Sequence, residues 1–103
     1  MPNNPIPPEA CHSMPELRAA IDRLDRQLVA MLAQRQAYIE RAAVLKSDRG
    51  TVRDTPRVEE VVGNVVKEAS RAGLSPEIAE AVWRALIEAS IAHEYKAFDA
   101  KQD

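Results

Sequence analysis

The sequence predicts an all-α fold of three helices, long, short and long. Three observations carry that prediction. Apolar positions recur at alternating steps of four and three residues from Leu17 to Leu45. The composition is 46 % hydrophobic but only 4 % aromatic, with three glycines, so it leans on Ala, Val, Leu and Ile. No segment alternates apolar and polar residues as a half-buried strand does. At 103 residues the chain is one domain's worth of sequence. Sixteen acids against fourteen Lys plus Arg give a net charge of −2. That balance argues against a nucleic-acid surface, which needs a basic excess. One cysteine, Cys11, excludes an internal disulfide and any multi-cysteine metal site. No apolar run approaches the roughly 18 residues of a membrane span. The N-terminus lacks the charged-then-apolar order of a signal peptide, so the cytoplasm is the expected compartment.

Pro2, Pro5, Pro7, Pro8 and Pro15 crowd the first 15 residues. Proline lacks an amide donor and clashes in helix interiors, so residues 1–13 read as a flexible arm and 14–103 as the helical domain. Cys11 and His12 read as part of a solvated tail rather than a metal or redox site. Ser13 suits a helix cap and Pro15 the first turn. Leu17, Ile21, Leu24, Leu28, Met31, Arg35, Tyr38, Ala42 and Leu45 then form a heptad seam. This implies one helix over about 14–46, roughly 48 Å long at the usual rise. Such a seam needs more cover than one 103-residue chain supplies, so the expectation is a homodimer with long helices packed across a two-fold axis. A lone coiled-coil arm is the alternative.

Residues 47–54 are a polar break containing Gly50. Thr55 with Pro56 starts the second helix, whose stripe is Val58, Val61, Val62, Val65, Val66 and Ala69. Valine is a middling helix former, so packing must hold this segment. Gly73 stops it. Ser75, Pro76 and Glu77 start the third helix, with the acid near the positive end of the dipole. Trp83, Ile87, Ser90, Ile91, Glu94 and Phe98 share one of its faces.

The informative residues are polar ones on apolar stripes. Arg35 occupies a seam position, and Lys46 follows 11 residues later. Eleven residues are close to three helical turns, so the two cations share a face to within about 20°, some 16 Å apart. Long side chains leaning together would grip one small anion. The structural alternatives are an ion pair or register-setting residue at Arg35 and a solvated helix-end cation at Lys46. Ser90 and Glu94 lie one turn apart between Ile87 and Ile91, and a carboxyl group there either pairs with a cation or is protonated. Asp54 and Arg57 flank the second helix start, where helix-end pairing is the plain reading. His93 points off the stripe and reads as a surface or packing residue. No nucleophile–base pair, metal cluster or phosphate-cradling glycine loop is evident. The pocket suits a small dianionic ligand, with chemistry done by positioning and electrostatics.

The ordered set of Leu17-Arg18, Ile21-Asp22-Arg23-Leu24-Asp25, Leu32-Ala33-Gln34-Arg35, Lys46, Val52-Arg53-Asp54, Arg57, Ser90 and Glu94 resembles the all-α chorismate mutases and the related isochorismate-pyruvate lyases. The similarity covers about residues 14–98. It implies an intertwined homodimeric helical bundle whose two active sites each draw on both chains. The spacing agrees, because Arg18 precedes Lys46 by about 42 Å along a straight helix, a gap an antiparallel partner helix would close. By resemblance, Arg18 of the partner chain and Arg35 hold the substrate carboxylates. Lys46 contacts a carboxylate and the ether oxygen, which Glu94 also faces, and Ser90 lies by a carboxylate. Arg57 and the backbone near Asp54 face the ring hydroxyl. Two residues depart from the common pattern. Many members have a glutamate where this chain has Val58, an apolar choice also seen in the lyase branch, so hydroxyl recognition must fall to other groups or be weaker. Many bacterial members have glutamine where this chain has Glu94, although some mutases use glutamate.

The resemblance implies conversion of chorismate to prephenate, a pericyclic rearrangement without cofactor. An isochorismate-pyruvate lyase making salicylate is the second reading, kept open by Val58. A non-catalytic helical dimerisation module is the third.

Overall fold

A computed structural model describes residues 6–101; the arm's residues 1–5 lie outside them. The element order is a 3-10 turn at Pro8–Ala10, helix α1 at Met14–Leu45, a 3-10 turn at Arg49–Thr51, helix α2 at Thr55–Ala72 and helix α3 at Pro76–Lys101. The expected long-short-long series is present, with no strand among the described residues. The chain divides into two compact units, Met1–Ala37 and Tyr38–Asp103, with the boundary inside α1.

In the N-terminal unit, Ser13 caps α1 as the sequence predicts. Its hydroxyl accepts from the Glu16 amide at 3.3 Å and donates to the Glu16 carboxylate at 3.2 Å. Before it, the Pro7 carbonyl accepts from the Ala10 amide at 2.9 Å. The seam residues Ile21, Leu28 and Met31 are 49 %, 50 % and 64 % exposed in the single chain. Among the described residues of α1, Ala43 alone is buried.

The C-terminal unit combines the last turns of α1 with α2 and α3. Its core is Ala43, Val52, Val62, Ile87, Ile91 and Phe98, with Val58, Val61, Val66, Trp83 and Tyr95 packed against it. Apart from Ala43, Val52 and Tyr95, these belong to the valine stripe of α2 and the predicted face of α3, so packing compensates valine's indifferent helix propensity. Gly73 ends α2 with φ of 82°, a left-handed conformation that costs glycine nothing. The Ser75 hydroxyl accepts from the Ile78 amide at 3.4 Å, and Pro76 opens α3.

One boundary shifts. The cap of α2 is Asp54, not Thr55: Asp54 has extended backbone angles, and its carboxylate accepts from the Arg57 amide at 3.2 Å. Thr55 is already helical, and Pro56 sits one position later, where a missing amide also costs no intrahelical bond.

Guanidinium forks tie the α1–α2 connection to α3. Arg53 donates to both Glu88 oxygens at 3.0 and 2.6 Å, and Arg49 to both Asp99 oxygens at 2.8 and 3.2 Å. The Arg49 guanidinium also lies 4.4 Å from the Tyr95 ring centre. A third fork, Arg84 on Glu59 at 3.1 and 3.0 Å, joins α3 to α2. Hydrogen bonds from these arginines hold the Glu59, Glu88 and Asp99 carboxyls below their ordinary range.

Phe98→Ala is expected to cost about 3–5 kcal/mol of stability in chemical denaturation, because it empties a core position. Because the folded state depresses these carboxyls, their stabilisation is complete above the unfolded-state values near ~4 and is lost as pH falls. Glu88→Gln should therefore give a shallower loss of stability in acid than the parent chain. An unchanged acid limb would show that the Arg53 fork contributes nothing.

Candidate active site

The site grows from the end of α1. The Lys46 amide still donates to the Ala42 carbonyl at 3.0 Å, so its backbone is set by the helix. Its side chain turns to α3, where the ammonium donates to Glu94 Oε2 at 2.7 Å, and it reaches the Val52 carbonyl at 3.4 Å. Glu94 is 4 % exposed and is the buried charged residue among those described. The Lys46 side chain is 30 % exposed, whereas that of Glu94 is 6 % exposed. An ammonium has three N–H donors, and two are directed at these protein acceptors.

The chain places Glu94 there by simple periodicity. Ile87, Ile91, Glu94 and Phe98 follow steps of four, three and four on α3, so the stripe that buries Ile91 and Phe98 buries Glu94 too. Val52, itself buried, brings its carbonyl in from the α1–α2 connection. No buried side-chain nitrogen or oxygen among the described residues lacks a hydrogen-bond partner.

Of the residues singled out from the sequence, Lys46 and Glu94 meet directly. Ser90 is half-buried one turn before Glu94, and Val58 is half-buried against the core. Asp54 and Arg57 meet at the start of α2 through the cap, while the exposed Arg57 guanidinium is engaged with Glu60. Arg18 and Arg35 belong to the N-terminal unit. Arg18 is exposed; Arg35 is half-buried, and its burial lowers the guanidinium from its ordinary value. His93 contacts Glu40 of α1 at 2.6 Å, the packing role its position predicts.

Sequence reasoning missed three groups. Glu60 is the partner of Arg57, three residues on, a spacing that signals helical ion pairs. The Val52 carbonyl has no side-chain signal at all. Lys101 donates to the carbonyls of Ala43, Val44 and Lys46 at the end of α1. The absence of any cation in the last turn of α1 was the available hint.

The arrangement can donate hydrogen bonds to a developing negative charge and hold one anionic group, and it offers no covalent chemistry of its own. Among the described residues no cluster of three or more His, Cys, Asp or Glu could hold a metal ion, and no helix is long and apolar enough to cross a membrane.

Comparison with known proteins places the chain in a family. The chain is similar to the isochorismate pyruvate lyase of Pseudomonas aeruginosa, with 28 % identity over 89 residues, covering 86 % of this chain and 88 % of that protein. The family model described as chorismate mutase type II matches residues 17–95, which contain Lys46 and its partner Glu94. The chain belongs to the chorismate mutase type II family.

Proposed function

We propose that the protein is a chorismate mutase, turning chorismate into prephenate by positioning and electrostatics. The observation that carries this reading is a partly exposed lysine side chain, Lys46, whose ammonium is backed at 2.7 Å by a buried carboxyl, Glu94. In the rearrangement a C–O bond breaks while a C–C bond forms, and negative charge builds on the ether oxygen. The protein's tasks are to fold the enolpyruvyl group over the ring and to aim donors at that oxygen. Lys46 supplies one donor and turns from Glu94 and Val52 toward the oxygen. Glu94 supplies the second only when it carries a proton, since a carboxylate only accepts. On the family resemblance alone, Arg18 of a partner chain and Arg35 hold the two carboxylates, a task suited to guanidinium forks. Ser90 assists at a carboxylate, and Arg57 with the backbone near Asp54 faces the ring.

A second reading is isochorismate-pyruvate lyase activity, yielding salicylate and pyruvate with the same cations. Val58 and the name of the Pseudomonas relative favour it. Separate incubations with chorismate and isochorismate, read by prephenate and salicylate, distinguish the two.

We also propose a homodimer that shares these sites. The support is the exposed apolar seam of α1, with Ile21, Leu24, Leu28 and Met31 all uncovered in the single chain. A helix face of this kind is stable in water when a second copy covers it.

Lys46→Met should lower kcat by roughly 10²–10³, the value of one well-aimed donor. Glu94→Gln, which keeps a donor at that position, should retain most of the turnover, whereas Glu94→Ala should lose it; equal losses would refute the donor role. Sedimentation should find a dimer that Leu28→Glu dissociates with loss of turnover. A fully active monomer would rule out shared sites.

A further inference from the structure

A helix end leaves its last carbonyls without intrahelical donors and carries partial negative charge. The last turn of α1 holds no basic residue to answer this. Lys46, the next residue, is the local candidate, yet its ammonium is turned to Glu94 and Val52. The end of α1 is served from α3. The Lys101 ammonium donates to the Ala43 carbonyl at 2.6 Å, the Val44 carbonyl at 3.3 Å and the Lys46 carbonyl. Three donors meet three acceptors. The same ammonium lies 4.3 Å from the centre of the Phe98 ring, a buried core residue, which fixes the side chain's course.

Glu94 and Lys101 are seven residues apart on α3 and so share a face to within about 20°. One helix thus grips Lys46 twice. Glu94 takes its ammonium, and Lys101 two turns later takes its carbonyl.

We propose that Lys101 is a positioning residue: by neutralising and bracing the end of α1, it releases the Lys46 side chain from helix capping and fixes it at Glu94. This rests on the proposed function for its catalytic consequence, though the brace itself does not. Without Lys101, the nearest cation for the orphan carbonyls is Lys46, and each excursion to them withdraws it from the reacting oxygen. The rate of the chemical step falls while substrate capture by the arginines persists.

The test is a double-mutant cycle on the full chain with Lys101→Met, which keeps the stem over Phe98 and removes the charge, and with Lys46→Met. Prephenate and salicylate formation are both followed. Lys101→Met should lower kcat about tenfold or more, a loss in keeping with slight misplacement of a catalytic group, with KM changed less than kcat. Lys101→Arg should recover part of it. In the Lys46→Met background, Lys101→Met should add less than about a twofold effect, because the residue it acts through is gone. Hydrogen exchange of peptides spanning 43–52 should quicken in Lys101→Met, with α2 unchanged. Wild-type kcat in Lys101→Met, or an equal loss in both backgrounds, overturns the proposal. If Lys101→Met does not fold, the same comparison is made with Lys101→Gln, which also removes the charge and whose wild-type kcat and exchange would overturn it. A wild-type chain inert on both substrates refutes the proposed function, and the exchange result then decides the brace alone.

Discussion

The contact between Lys46 and Glu94 is the constraint from which the rest of the C-terminal unit follows. Enclosing a carboxyl group in a core of Ile, Val and Phe is unfavourable unless a cation answers it at hydrogen-bonding distance. At 2.7 Å Lys46 does so. A buried ion pair is seldom worth more to folding than well-packed apolar residues of the same volume, while removing one partner costs about 3–5 kcal/mol. Stability alone is therefore a poor reason to place glutamate between Ile91 and Phe98. A ligand in which negative charge builds on one oxygen during its reaction is a better one.

The surrounding structure is arranged to keep that contact in one geometry. Val52 packs in the core and lends its carbonyl to Lys46. Arg49 and Arg53, on either side of Val52, fork onto Asp99 and Glu88 of α3, so the connection after α1 is fastened at two points to the helix that carries Glu94. These outer pairs are exposed, screened by salt and individually weak. Their value lies in restricting where the connection can go, and with it where the Lys46 ammonium is held before any substrate arrives. A donor restrained in this way has only to turn from Glu94 to meet the developing charge.

Much of this was legible in the amino acids. Ser13, Gly73 and Ser75 announced helix ends because capping is local chemistry, settled within a few residues. The stripes of α2 and α3 were legible because burial follows the helical period, and Glu94 stood out as the one acid on such a stripe. Asp54 and Thr55 are both good caps, so choosing between adjacent residues required backbone angles that sequence does not display. Lys46 was readable equally as a helix-end cation or as a site residue. The helix end is served instead by Lys101, 55 residues away in the chain, and no periodic pattern links the two. The exposed seam of α1 is the converse case: the heptad spacing was plain, and the single chain leaves that apolar face uncovered.

The most direct measurement is a crystal structure of the protein with a bicyclic dicarboxylate bearing an ether bridge, a stable mimic of the folded transition state, which a rearrangement catalyst should bind more tightly than its substrate. The ether oxygen should lie about 3 Å from both Lys46 Nζ and a Glu94 oxygen, with the former ion pair opened to admit it. A mimic bound elsewhere, or bound with Lys46 and Glu94 still closed on each other, would contradict the claim that this pair faces the reacting oxygen.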